Sequence, residues 1–264
     1  MKPDFAQYGF RYQDNLIQAF VGGSQLHGAK LEASDDTDYY GVYLEPVEKV
    51  VMDPDEHFVF STGGKAGGNM PHDIDVCLYS LRKWARLAMK GNPSVLHFLF
   101  AEPMFNTIPW ARVFYQRDIF LAKSHIGQFL GYANAQLAKL LGQRGGKDCR
   151  RRALEEKHSY DTKYAMHLIR LYGEALELFT DGKITFPRPE KDFLIGIRAG
   201  AYTLSQIREL ANDLESQVHA AKDKSPLPDT IDRVKVSNFI SNIYMNFWED
   251  GIPVGSWHYE EKTR

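Results

Sequence analysis

Apolar positions in the first third of the chain come in short runs, and each run stops at a turn signal. Leu16 to Val21 (LIQAFV) halts at Gly22-Gly23, the pattern of a buried strand. Tyr39 to Leu44 (YYGVYL) is aromatic and β-branched, and Pro46 closes it. His57 to Ser61 and Ile74 to Tyr79 read as further strands, separated by the glycine-rich loop 61–71 (STGGKAGGNMP). From Ser80 the period changes: Leu81, Trp84, Ala85, Leu87 and Ala88 follow helical spacing, and Gly91-Asn92-Pro93 makes a stop. Beyond about Pro109 nearly everything is helical in pattern, over 121–142, 160–180, 190–201, 203–222 and 229–247. The expected fold is α/β (α+β): a small mixed-sheet domain over 1–110, then a helical domain over 111–264, with the boundary near 105–120.

Composition narrows this without changing it. Across 264 residues, 44% are hydrophobic and 25% charged, the mix of an ordinary globular protein. A net charge of -2 supplies no global field for nucleic acid, so an RNA partner would need a local basic patch. The two cysteines, Cys77 and Cys149, exclude a disulfide framework and point to a reducing compartment. The polar start MKPDFAQYGFRYQDN does not read as a signal peptide, and no apolar run approaches membrane-spanning length. A cytoplasmic protein without a membrane partner is expected.

Candidate chemistry lies at the ends of the strands. Gly22-Gly23-Ser24 follows the first strand, Asp36-Thr37-Asp38 enters the second, and Asp75 sits inside another as Ile74-Asp75-Val76. Strand residues two apart share a face, so Asp36 and Asp38 converge on one cation while Asp75 joins from a neighbouring strand. Oxygen-only ligands suit Mg²⁺, and Mn²⁺ accepts the same set. The glycine turn lets backbone N–H groups approach phosphate oxygens, and the Ser24 hydroxyl adds a donor. Alone, a GGS is usually a turn and a DxD a solvated loop or cap, whereas an aspartate within a strand runs against propensity. Their order and strand-like flanks favour the functional reading. The same stretch misses a P-loop, because Lys30 falls one place late, and it lacks the glycines of a Rossmann fingerprint.

This pattern resembles the DNA polymerase β nucleotidyltransferase superfamily. Residues 22–46 (GGSQLHGAKLEASDDTDYYGVYLEP) are similar to the opening motif of predicted nucleotidyltransferases of the YcgL and RlaP type, a group named for a proposed link to RNA repair. Residues 75–102 resemble its second block and Tyr160 to Leu171 its helical third, so the resemblance spans roughly positions 16–200. Carried over by position, the resemblance puts the catalytic and metal-binding acids at Asp36, Asp38 and Asp75, and the phosphate turn at Gly23 and Ser24. Two positions depart from it: Gln25 stands where a basic residue is common, and Tyr40 where an arginine often precedes the next glycine.

Lys163, His167 and Arg170 fall at i, i+4 and i+7, one stripe of a helix beside the apolar stripe Tyr164, Leu168, Leu171 and Ala175. Spacing alone suggests a solvated basic face; the resemblance makes the three nucleotide-binding candidates, Lys163 first. Arg144, Lys147, Arg150, Arg151 and Arg152 form a second basic group, read either as a solvated loop, the commoner case for a charge run, or as a surface for an RNA backbone. Tyr79, Arg82 and Lys83 are candidates to reach the site from the Asp75 strand, Arg82 and Lys83 reading equally as surface charges on the next helix; Asp73 is the alternative third acid, and His27 is assigned to substrate or to the turn. The function expected is metal-dependent transfer of a nucleoside monophosphate from an NTP to an acceptor hydroxyl, with an RNA end as the acceptor. The alternatives are a non-catalytic nucleotide- or partner-binding protein, and a protein-modifying enzyme of a toxin–antitoxin pair.

Overall fold

The computed structural model describes residues 2–29, 36–52, 56–63, 72–143 and 157–251. The basic group at 144–152 and all but the first three residues of the glycine-rich loop lie outside these. Strands run over Leu16–Val21 (β1), Thr37–Tyr43 (β2), His57–Ser61 (β3), Ile74–Ser80 (β4) and Phe105–Asn106 (β5). Helices run over Gly23–Leu26 (α1), Val47–Met52 (α2), Leu81–Met89 (α3), Pro93–Leu96 (α4), Ile108–Tyr115 (α5), Ile126–Leu140 (α6), Thr162–Asp181 (α7), Lys191–Arg198 (α8), Leu204–Lys224 (α9) and Arg233–Asp250 (α10).

The five strands form one mixed sheet in the order β3-β4-β2-β1-β5. Its centre is the parallel pair β2 and β4, with antiparallel neighbours on both sides. The expected α/β class is what the structure shows. The two-residue β5, pairing Phe105 and Asn106 with Ala19 and Gln18, has no counterpart in the apolar pattern, because so short a strand carries no period. The expected division at 110/111 falls within α5.

Alternation along the central strands sends side chains to two different environments. Tyr39, Tyr43, Val76 and Leu78 face one way and meet Phe5, Phe10 and Tyr12 from the N-terminal segment. Tyr12 stacks on Tyr43 with ring centres 5.7 Å apart, and Tyr8 stacks on Phe60 at 4.8 Å. This segment, with short 3-10 turns over Ala6–Tyr8 and Gln13–Asn15, seals the sheet's far face with aromatic area rather than an α-helix. Tyr40, Val42 and Tyr79 face the opposite way, toward the helices.

On that side a single apolar cluster runs from Ile17 and Phe20 through Trp84 and Leu168 to Ile243. Helix α3 starts where Ser80 caps it, its hydroxyl accepting the Lys83 N–H. It buries Leu81, Trp84, Ala85 and Ala88, and Leu87, the fifth helical position the sequence marked, is half-buried. Helix α7 is capped by Asp161, which accepts from the Lys163 and Tyr164 N–H groups, and it ends at Gly182 in the left-handed region, φ 68°. It packs between α6 and α9 and lays Leu168, Leu171 and Ala175 into the core. Arg82 does not approach the acids: its Nε donates to Glu45 at 2.8 Å, and Glu56 lies 3.3 Å away.

Trp84 is fully buried among Trp110 and Phe120, and its Nε1–H donates to the Val95 carbonyl at 3.3 Å. Trp84→Ala is therefore expected to cost about 3–5 kcal/mol of stability, read as the shift of a urea unfolding midpoint.

Candidate active site

The parallel register of β2 on β4 pairs Asp38 directly with Asp75. Paired residues point to the same face, so both carboxylates leave the sheet together, and Asp36 precedes β2 by one residue. Oxygens of Asp36, Asp38 and Asp75 lie within 4.8 Å of one another, each residue half-buried. Three anionic groups this close repel one another and suit a hard divalent cation, which takes carboxylate oxygens and retains waters. The alternative acid, Asp73, is engaged elsewhere: its carboxylate accepts the Thr62 hydroxyl at 3.0 Å and its carbonyl accepts the Thr37 N–H at 2.8 Å.

The glycine turn closes against this cluster. The Gly22 N–H donates to the Asp38 carbonyl at 2.8 Å, which ties the end of β1 to the start of β2. Gly23 has φ 60°, and a Cβ there would stand 1.9 Å from Asp38 Oδ2. A Cβ at Gly22 would meet the Tyr40 ring at 2.4 Å. Both glycines are thus required by contact: the backbone lies directly on Asp38 and on the Tyr40 ring, which stacks on Phe20. Ser24 belongs to the short α1 that follows.

Of the basic stripe, the structure brings Arg170 to the turn. Its Nη1 donates to His27 Nε2 and to Glu174 Oε1, both at 2.7 Å. Glu174 Oε2 accepts from His97 Nε2 at 3.1 Å, and His27 Nδ1 lies 3.5 Å from Glu174 Oε1. An arginine only donates, so His27 Nε2 accepts and its proton sits on Nδ1, facing the carboxylate. His27 thus ties the end of α1 to Arg170 and Glu174. Lys163, in the first turn of α7, lies seven residues before Arg170, roughly 10 Å along the helix axis, and His167 stands between them. All three are part-buried.

Full burial by itself would raise the Glu174 carboxyl, but Arg170, His97 and His27 outweigh it and hold the carboxyl well below the usual range. Burial, and then Arg170, pull His27 well below its ordinary value against the opposing pull of Glu174. The group is an ionised Glu–Arg pair with a neutral His27 closing it. His27, His97 and Glu174 also have donor atoms close enough to hold a metal. The guanidinium, 2.7 Å from two of them, already supplies the positive charge.

Sequence reasoning missed Glu174 and His97. The signal for Glu174 was present: it lies in the apolar stripe between Leu171 and Ala175, four residues after Arg170, and an acid there must be buried and paired. His97 follows from nothing local, since a tertiary contact over 77 positions brings it to Glu174.

The family model described as "RlaP: RNA repair pathway DNA polymerase beta family" matches residues 2–240. An uncharacterized 38.9 kDa protein in the nrdC-mobD intergenic region of Enterobacteria phage T4 is 28% identical over 123 residues, 44% of this chain and 36% of that protein. The match thus spans about a third of that relative's length. A nucleotidyltransferase-like protein from Exiguobacterium sibiricum aligns over 93% of this chain and 75% of its own, at 10% identity and a TM-score of 0.30. No helix among the described residues is long and apolar enough to cross a membrane.

Two outcomes follow from this geometry. A Gly23→Ala chain must move Asp38 aside, and its Mn²⁺ affinity, measured by calorimetry, is expected to fall about 10- to 100-fold, as when a ligand's support is disturbed. His27 titrates near 6.5 when unfolded and well below that when folded, so the unfolded chain binds a proton that the native chain refuses. Stability is then full above pH 6.5 and is lost as pH falls below it, at up to about 1.4 kcal/mol per pH unit from this group. A His27→Gln chain should show a shallower loss of melting temperature between pH 6.5 and 5 than the parent; equal slopes would remove His27 as the cause.

Proposed function

Because this chain belongs to the RlaP family of DNA polymerase β type, we propose that it transfers a nucleoside monophosphate from an NTP to an acceptor hydroxyl. The observation that carries this reading is the cluster of Asp36, Asp38 and Asp75 oxygens within 4.8 Å, with the Gly23 backbone laid against Asp38. Each side of the reaction has a candidate group. The acceptor oxygen bonds to the α-phosphorus, the bond from that phosphorus to the β-phosphate bridge breaks, and pyrophosphate leaves with the electron pair. The hydroxyl proton passes to a carboxylate of the cluster.

The three aspartates have the chemistry to hold Mg²⁺ or Mn²⁺, which when bound would favour the ionised acceptor and neutralise charge on the leaving group. The turn supplies the Gly23 and Ser24 N–H groups and the Ser24 hydroxyl toward phosphate oxygens, without a side chain in the way. Arg170, held at the end of α1, and His167 and Lys163 further along α7 supply donors for the rest of the triphosphate. No covalent enzyme intermediate is needed: positioning and electrostatics carry the reaction.

An RNA end is the proposed acceptor, supported by the family's description as an RNA repair polymerase β family. The experiment incubates the protein with each α-labelled NTP, Mg²⁺ or Mn²⁺, and cellular RNA and protein together. Label is expected in RNA, and Asp38→Asn is expected to lower transfer by about 100-fold or more, given the several kcal/mol a bound cation contributes. Label in protein would move the acceptor to a protein side chain. Tight NTP binding without transfer would mean a binding protein, and equal transfer by both chains would mean the acids are elsewhere.

A further inference from the structure

The buried group around Glu174 adjoins the glycine turn through His27, and it joins three separate elements. His27 ends α1, the helix that begins at Gly23. Arg170 and Glu174 are one turn apart on α7. His97 follows α4. Glu174 has no exposed surface, and Arg170 keeps only 12% of its side-chain exposure. A fourth segment closes over them: Phe186 packs edge-on against both His27 and His97 at 5.4 and 5.1 Å, and the Arg188 N–H donates to the His27 carbonyl at 3.2 Å.

Burying an acid this completely costs several kcal/mol unless it is paired and hydrogen-bonded. An apolar residue at position 174 would continue the Leu171–Ala175 stripe and avoid that cost, so core packing alone does not account for the acid. What Glu174 adds is orientation. Its Oε1 fixes Arg170 Nη1 against His27, its Oε2 fixes His97, and His27 in turn fixes the C-terminal end of α1. Arg170 meets His27 at the end of the helix that begins at Gly23, and the Gly23 backbone lies against Asp38, so the guanidinium stands on the acids' side of the sheet.

We propose that Glu174 is a positioning residue for nucleotide binding: it locks Arg170 and His27 into one unit, so that the glycine turn and the guanidinium meet the triphosphate in a fixed geometry. This rests on the reading of the aspartate cluster as an NTP site. A guanidinium already fixed loses little rotamer freedom on binding phosphate, and the gain appears as affinity. The role belongs to Glu174 and His27 together, neither of which touches the reacting atoms.

The test uses the full chain and compares wild type with Glu174→Gln, which keeps shape and removes charge, and with Arg170→Gln. Steady-state transfer, NTP binding in Mg²⁺ and melting temperature are measured for each. The expected result for Glu174→Gln is a rise in the NTP KM of about tenfold, the worth of one charge-assisted contact, with kcat within about threefold. Arg170→Gln should give a similar rise, and the double variant should add little to either, because the two act as one unit. A lowered melting temperature with an unchanged KM would make Glu174 structural only and overturn the proposal; so would full additivity in the double variant. If Glu174→Gln does not fold, Arg170→Lys decides: it retains charge without the planar fork, and an unchanged KM there also overturns the proposal. A wild-type chain that neither binds nor turns over NTP would instead refute the underlying nucleotidyltransferase reading, which separates the two failures.

Discussion

Everything at the candidate site depends on the parallel pairing of β2 with β4. That register sets Asp38 opposite Asp75, and the chain entering β2 adds Asp36. A slip of one residue would turn Asp75 to the far face, into the aromatic cover of Phe5 and Phe10, and would dissolve the cluster. The far face is apolar on both strands, with Tyr39, Tyr43, Val76 and Leu78 all engaged there, so hydrophobic burial itself holds the carboxylates in register. The arrangement brings mutually repelling groups together at the edge of a well-packed core. Such a conflict between local preference and global fold is characteristic of sites rather than scaffolds.

The remaining elements tighten that centre. Gly22 and Gly23 lie on Tyr40 and Asp38 so closely that no side chain fits. At the end of α1, α7 carries the Arg170–Glu174 pair that grips His27, and Phe186 and Arg188 cover the grip. Tyr40 bears on the departure from the family pattern at that position. An aromatic ring there stacks on Phe20 and sits against Gly22 of the turn.

Much of this was legible in the sequence, because its signals are local. β1, β3 and the helix beginning at Leu81 follow from period and caps, and β2 and β4 differ from the expected strands only at their ends. The Asp36-Thr37-Asp38 spacing and the strand setting of Asp75 gave the cluster without any structure. What escaped was tertiary. The N-terminal aromatics have neither helical nor strand period, so nothing in Phe5, Phe10 or Tyr12 announces a cover for the sheet. Arg82 looked free to reach the acids because its partner, Glu45, is 37 residues away. His97 and Glu174 meet across an even longer separation. Only the acid inside α7's apolar stripe left a trace that could have been read in advance.

The most direct test of the central claim is a crystal structure with Mn²⁺ and an NTP analogue that cannot be cleaved between the α- and β-phosphates. An anomalous peak is expected among Asp36, Asp38 and Asp75, at roughly 2.0–2.6 Å from their oxygens as hard divalent cations bind carboxylates, with the phosphates against Gly23 and Ser24. A peak confined to His27, His97 and Glu174, or phosphates bound away from the glycine turn, would contradict it.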